Sequence, residues 1–326
     1  MMQAYYFLTL KDGIRFHKIL GYIFIFWALS CLKDIIQTIP GFYTRQTLDY
    51  ILVFDGWSAI SFVCFLFELT MPGWVTLRKV AVMFIPFLIF TVLYVLFPCD
   101  AIFYSYSAFL IIFGLTIVIV GYAKARKYIE YVRDNYSNID DIDISWIKYV
   151  YLIAFASQLL WLLVSIVSNI YFDAVYYISI IVMWHIAIYY CRGLKPIKVE
   201  KDSDDEKTSE DKTYPFAGQL EKIVEEEQLY LNPNLSLSNL VARMGTNRTY
   251  LSEYFSNVKG MTFYDYINEQ RIKKKSVPMM KEHPEYTLDY IAQLSGFNSQ
   301  STFRRSFLKY TGVNPGKYRS CIGEQQ

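Results

Sequence analysis

Six long apolar stretches, at 19–39, 48–69, 80–97, 101–122, 149–168 and 174–191, dominate the first part of this chain. A helix needs about 20 mainly apolar residues to cross the hydrocarbon core of a bilayer, and each stretch approaches or meets that length. Nine charged residues fall among positions 19–122, against 37 among positions 195–326. One part is composed for lipid and the other for water. That split excludes an ordinary soluble enzyme, and the 54% apolar content excludes a disordered or collagen-like chain. The five cysteines are scattered and form no disulfide framework.

The second, fourth, fifth and sixth stretches are the most uniform. The third contains Pro86, which a membrane helix accommodates with a kink. The first is the weakest, because Lys33 and Asp34 fall near its outer end. Lys and Arg concentrate in the short cytoplasmic loops of membrane proteins. With the N-terminus inside, the inner segments hold 13 of them and the outer loops hold two, Lys33 and Arg45. Both termini are therefore expected in the cytoplasm. No small-residue cleavage site follows the N-terminal apolar segment, so no secretory signal is expected. Within the spans, the ionisable residues Asp55, Glu68 and His185 are candidates for sensing an unknown small ligand or membrane signal, since ionisable groups at membrane depth are functional by default. Asp55 has a second reading as an interface residue, and Glu68 as a side chain reaching for the inner edge. The long inner loop begins with 123–133, read as a helical extension of the fourth span, and continues with a polar, acidic stretch at 135–143.

The chain changes character near Lys195. Ten of the thirteen residues at 200–212 are charged, so 195–213 reads as a flexible linker. The alternative is an acidic decoy that competes with phosphate for a basic surface. From 214 onward the pattern is short helices. Ser236 caps a helix with Leu237, Leu240 and Val241 inward, Gly245 ends it, and Asn247 caps the next, with Leu251 and Phe255 inward. Thr262 caps a longer helix to about Val277. The unit then recurs: Thr287 caps a helix with Leu288, Ile291 and Ala292 inward, 295–297 turns, and Ser299 caps a helix with Phe303 and Phe307 inward. These are two helix-turn-helix units, at about 236–257 and 287–310, followed by a last helix opened by Asn314-Pro315.

The second unit carries Arg271-Ile272, Tyr290-Ile291-Ala292, Gly296-Phe297-Asn298-Ser299-Gln300-Ser301, Phe303, Phe307 and Gly312-Val313-Asn314-Pro315 followed by Tyr318-Arg319. The first carries Leu240-Val241-Ala242, Gly245, Tyr250-Leu251, Phe255, and Gly260 followed by Phe263. In these residues the stretch from about Phe216 to Cys321 resembles the DNA-binding domain of the AraC/XylS family of bacterial transcription regulators. Two positions depart from the family pattern. Pro278 stands where the linking helix usually continues with Leu, so that helix is expected to stop or kink near Lys275–Val277. Lys275 stands where the family usually has Ala.

The resemblance implies double-stranded DNA as partner. By position in the motif, Thr249, Ser252 and Glu253 in the first recognition helix, and Gln300, Ser301, Arg304 and Arg305 in the second, are the candidates for reading base edges. Gln suits adenine and Arg suits guanine, while Glu253 accepts from cytosine or serves as an acid at a helix N-terminus. Arg248, Lys273, Lys274, Lys275 and Lys309 are the phosphate candidates, with a solvated helix face as the alternative for the lysine cluster. Positions 243–326 carry a net charge of +6, from 13 basic and seven acidic residues. No phosphate loop, zinc spacing or catalytic constellation is present, and no cofactor or metal is expected. The expected fold is all-α: a six-span membrane sensor or anchor domain at 1–194, the linker at 195–213, and a cytoplasmic AraC-type DNA-binding domain at 214–326. The expected location is the bacterial inner membrane, with the bilayer and a second copy of the chain as further partners. A transporter or receptor with a protein-interaction tail is the rival reading, and proteolytic release of the DNA-binding half is a third.

Overall fold

The computed structural model describes residues 1–323 except 40, 43, 168–169 and 200–213. Among the described residues there is no strand, and the chain divides into two compact units. The first comprises Met1–Tyr128 and Ile144–Val199. The second comprises Ile129–Asp143 together with the described residues beyond 213.

In the first unit, α1 (Met2–Thr9) and α2 (Arg15–Ser30) form a hairpin. His17 ties it to the last helix through Nε2, 2.9 Å from the Cys191 carbonyl oxygen. A 3-10 segment (Cys31–Thr38) follows α2. Then come α3 (Arg45–Asp55), α4 (Ser58–Thr70), α5 (Leu77–Leu96), α6 (Asp100–Asn135), α7 (Ile147–Val167) and α8 (Ile170–Cys191). Six segments are long and apolar enough to cross a membrane: Arg15–Ile36, Arg45–Thr70, Leu77–Leu96, Asp100–Asn135, Ile147–Val167 and Tyr171–Cys191. They coincide with the six apolar stretches. The expected end of the fifth stretch, at residue 168, lies outside the described residues.

One local feature differs from the sequence expectation. The second span is broken at Gly56–Trp57 into α3 and α4. A side chain at Gly56 would overlap the Tyr106 hydroxyl, which donates to the Val53 carbonyl at 3.0 Å. Glycine there lets Tyr106 reach the break and satisfy the backbone group it exposes. α5 accommodates Pro86 inside the helix.

In the second unit, α9 (Ala217–Glu226) and a 3-10 turn (Leu229–Leu231) precede α10 (Leu237–Met244) and α11 (Arg248–Asn257). Next come α12 (Phe263–Gln270), a π-helical segment (Arg271–Ser276), α13 (Val277–Glu282), α14 (Leu288–Leu294), α15 (Gln300–Thr311) and α16 (Pro315–Gly323). There are two cores. Leu220, Leu240, Leu251, Phe255 and Ile267 belong to one, and Ile272, Met280, Ile291, Phe303 and Phe307 to the other. The linking helix serves both. It was expected to stop or kink near Lys275–Val277, and of these it does not stop: it passes from α12 into α13 through the π segment, a widened turn that ends at Ser276, and the helix serves one core before that segment and the other after it. Pro278 is the second residue of α13, directly after the widened turn. Ser276 Oγ donates to the Arg271 carbonyl at 3.0 Å and helps hold the widened turn.

Candidate nucleic-acid interface

Each helix that shapes the two helix-turn-helix units begins at a side-chain cap. Ser236 accepts from Asn239 N in a reciprocal capping box, Asn247 from Tyr250 N, Thr262 from Asp265 N, Thr287 from Tyr290 N and Ser299 from Thr302 N. Gly245, at φ +62°, lets the chain turn between α10 and α11 in the left-handed region. Gly296, at φ +85°, does the same between α14 and α15, and a Cβ there would lie 2.7 Å from the Leu231 carbonyl oxygen. The second turn therefore abuts the 3-10 turn that precedes the first helix-turn-helix.

This scaffold places α11 and α15 as the second helices of the two units. On α15, Ser301, Arg304 and Arg305 are exposed and Gln300 is half-buried. On α11, Arg248, Thr249, Ser252 and Glu253 are all half-buried. The cations assigned to phosphate have protein partners: Lys273 lies 2.6 Å from Glu269, Lys274 lies 3.1 Å from Glu225, and Lys309 lies 2.7 Å from Asp265. Lys275 is half-buried on the π segment.

Residues 240–320 match the helix-turn-helix domain family. The chain is 31% identical over 94 residues to the probable transcription factor PqrA of Proteus vulgaris, a match covering 29% of this chain and 75% of that protein. It belongs to the AraC/XylS family of transcription regulators. It is also 30% identical over 92 residues to an uncharacterised HTH-type transcriptional regulator of Staphylococcus aureus (strain COL), covering 28% of this chain and 12% of that protein. The Msm operon regulatory protein of Streptococcus mutans is 24% identical over 114 residues, covering 35% of this chain and 39% of that protein. No solved structure matches the chain. The likeness to the family is confined to the C-terminal part, and the apolar helices are fused to it.

The compact unit that holds the family domain also contains an element from elsewhere in the sequence. The segment 129–143 comprises the end of α6 and the loop that leads toward α7, and it is part of the second unit. The contiguous boundary expected near residue 195 does not contain it. Its centre is Ser137, which is fully buried. Ser137 N donates to the Leu235 carbonyl at 3.1 Å, and Tyr136 pairs with Ser236 in an isolated antiparallel bridge. Arg271, from the family motif, is 1% exposed. Its guanidinium donates to the carbonyls of Tyr230 (2.6 Å), Asn232 (2.8 Å) and Ser137 (3.1 Å), to Ser137 Oγ (3.1 Å) and to Asn268 Oδ1 (3.2 Å). Burial among these neutral acceptors lowers its pKa to about 10. Farther along the segment, Asn135 Oδ1 accepts from Arg248 Nε at 2.6 Å, and the Arg248 guanidinium lies 4.7 Å from the Tyr131 ring centroid. Asp140 accepts from the Thr302 hydroxyl, which in turn accepts from Arg305 at 3.1 Å. Sequence reasoning placed Arg271 in the motif but found neither its role nor that of Asn135, Ser137, Asp140 and Thr302. The contacts of Asn135, Ser137 and Asp140 with Arg248, Arg271 and Thr302 join residues more than a hundred positions apart and leave no local pattern.

The three ionisable residues singled out in the spans, Asp55, Glu68 and His185, each have polar partners. Asp55 is buried, 2.6 Å from Lys33 Nζ and 3.2 Å from the Tyr177 hydroxyl. It also borders a mainly apolar cavity whose wall includes Leu110 and Gly114 of α6 and Tyr151, Phe155 and Trp161 of α7. Glu68 does not reach for the inner edge. It is fully buried, accepts from Gly73 N (2.8 Å) and Val75 N (2.9 Å), and lies 3.1 Å from Arg15 Nε. It fixes the turn before α5. His185 is tied to its own helix: its Nδ1 lies 2.8 Å from the Ile181 carbonyl oxygen.

Proposed function

We propose that the chain is a membrane-tethered, sequence-specific transcription regulator whose apolar helices sit in the bacterial inner membrane with both termini in the cytoplasm. The observation that carries this reading is the joining, in one chain, of six apolar helices of spanning length to an AraC-type domain with two capped recognition helices. Thr249, Ser252 and Glu253, with Gln300, Ser301, Arg304 and Arg305, are the base-reading set. Arg248, Lys273, Lys274, Lys275 and Lys309 are the phosphate set. The membrane half is a sensor, and the cavity beside Asp55 is where an apolar ligand or lipid would act. Residues 195–213 form a linker, of which 200–213 lie outside the described residues. Confinement to the membrane plane raises the effective concentration of the DNA-binding domains and favours pairing of two copies.

Two experiments test the reading. A reporter fused after Lys198 reports cytoplasm, and one at Cys99–Asp100 reports the outside. A periplasm-active reporter after Lys198 overturns the membrane arrangement. Genome-wide mapping of the tagged full-length chain gives discrete sites with a shared sequence. Binding spread without sequence preference overturns specific regulation.

A further inference from the structure

We infer that the segment 129–143 and DNA compete for the same surface, so that this stretch between α6 and α7 acts as an internal ligand of the DNA-binding unit. The inference rests on the DNA-binding reading above. Recognition helices contact base edges mainly through their N-terminal residues. The segment holds both of those N-terminal turns. Arg248 opens α11, and it bonds Asn135 while stacking over Tyr131. Thr302 is the third residue of α15, and it bonds Asp140 while also accepting from Arg305. One arm thus takes a phosphate candidate and the other covers the start of the helix that carries the arginines.

The charge fits a stand-in for DNA. Positions 129–143 contain Glu130, Asp134, Asp140, Asp141 and Asp143 against Arg133 alone. An acid at the start of a helix occupies the electrostatic position that a phosphate favours. A guanidinium whose Nε is bonded to Asn135 and whose face lies on Tyr131 cannot at the same time present that edge to a DNA phosphate. The centre and the arms of the segment differ in kind. Ser137 is bonded through its own backbone and hydroxyl to Leu235 and Arg271, which anchors the middle. Asn135 and Asp140 reach the recognition helices through side-chain contacts. The arms can lift while the anchor stays. Because α6 and α7 flank the segment in the chain and also wall the cavity beside Asp55, a change in their packing has a covalent route to the arms.

The test uses the full-length chain in nanodiscs and duplexes enriched by it from a random pool, each long enough for two successive major grooves. Asn135→Ala removes a contact without changing charge. It is expected to bind about ten-fold more tightly and to steepen the salt dependence by about one ion, as Arg248 gains a phosphate. Arg248→Ala in the Asn135→Ala background cancels both gains. Asp140→Asn keeps an acceptor for Thr302, so it preserves the fold, and it also binds more tightly. Asn135→Ala and Asp140→Asn both binding as the unaltered chain does would overturn the competition while leaving the DNA-binding reading intact. If neither the unaltered chain nor any variant enriches or binds DNA, the DNA-binding reading falls, and the competition with it.

Discussion

Arg271 donates to both the carbonyl and the hydroxyl of Ser137, a residue 134 positions earlier in the chain. Among the described residues, this fully buried guanidinium is held by neutral groups, with no carboxylate in contact. Burying a charge is tolerable only when its donors are filled, so the family motif in this chain is completed by a stretch outside the family domain.

Ser137→Ala removes one of the two acceptors of Arg271 Nη2. The expected cost is about 1.5–3 kcal/mol, the range for a hydrogen bond to a charged group. Hydrogen exchange in the full-length protein checks it: protection of the amides of α12 falls while that of α3 to α5 is unchanged. Equal protection in both regions would show that Ser137 contributes nothing to the unit's stability.

On DNA, the two recognition helices are expected to meet successive major grooves about 34 Å apart on one face of the duplex, and so to protect two half-sites of different sequence. Arg305→Ala is expected to cost about 1–3 kcal/mol and to relax selectivity at one position, as loss of a guanine contact does. Lys274→Ala is expected to weaken all sequences alike and to lower the salt slope by about one ion. Binding isotherms across a salt series, on matched and mismatched duplexes, separate the two behaviours.

Gly296→Ala combines a left-handed backbone with a Cβ 2.7 Å from the Leu231 carbonyl oxygen. A loss of about 1–3 kcal/mol is expected. Gly245→Ala has a similar φ of +62° but open space around it, and is expected to cost only about 1 kcal/mol. Denaturant unfolding of the two variants, read by hydrogen exchange in α14 and α10, gives the difference directly.

Lys33→Met strands the buried carboxylate of Asp55 and is expected to destabilise the first unit by about 3–5 kcal/mol. Replacing both residues, Lys33→Met with Asp55→Leu, is expected to recover most of that loss. Thermal unfolding in detergent checks the order single variant, double variant, unaltered chain.

What was legible in the sequence is what short-range chemistry determines. Ser236, Asn247, Thr262, Thr287 and Ser299 are caps because each stands just before an apolar periodicity, and all five accept the expected backbone bond. The apolar runs gave the six long helices for the same reason: length and hydropathy are local properties. Glu68 was misread because its partners, the amides of Gly73 and Val75 and the side chain of Arg15, exist only once the chain has turned. The π segment was not foreseen either. Pro278 announced a disturbance in the helix, but whether the chain breaks or widens its turn depends on two cores that need different faces of one helix. The helical extension at 123–133 and the polar, acidic stretch at 135–143 are legible, yet nothing in their composition says that Ser137 lies against Arg271.

The separation of that pair in the chain also sets an order of events during biosynthesis. At about 5–20 residues per second, Ser137 leaves the ribosome roughly 7 to 27 s before Arg271. By then the apolar stretch of α6 has been made, and α7 and α8 follow before any helix of the C-terminal region. The last part of the polypeptide thus matures onto a template laid down early, and a fragment beginning at 214 would be born without it.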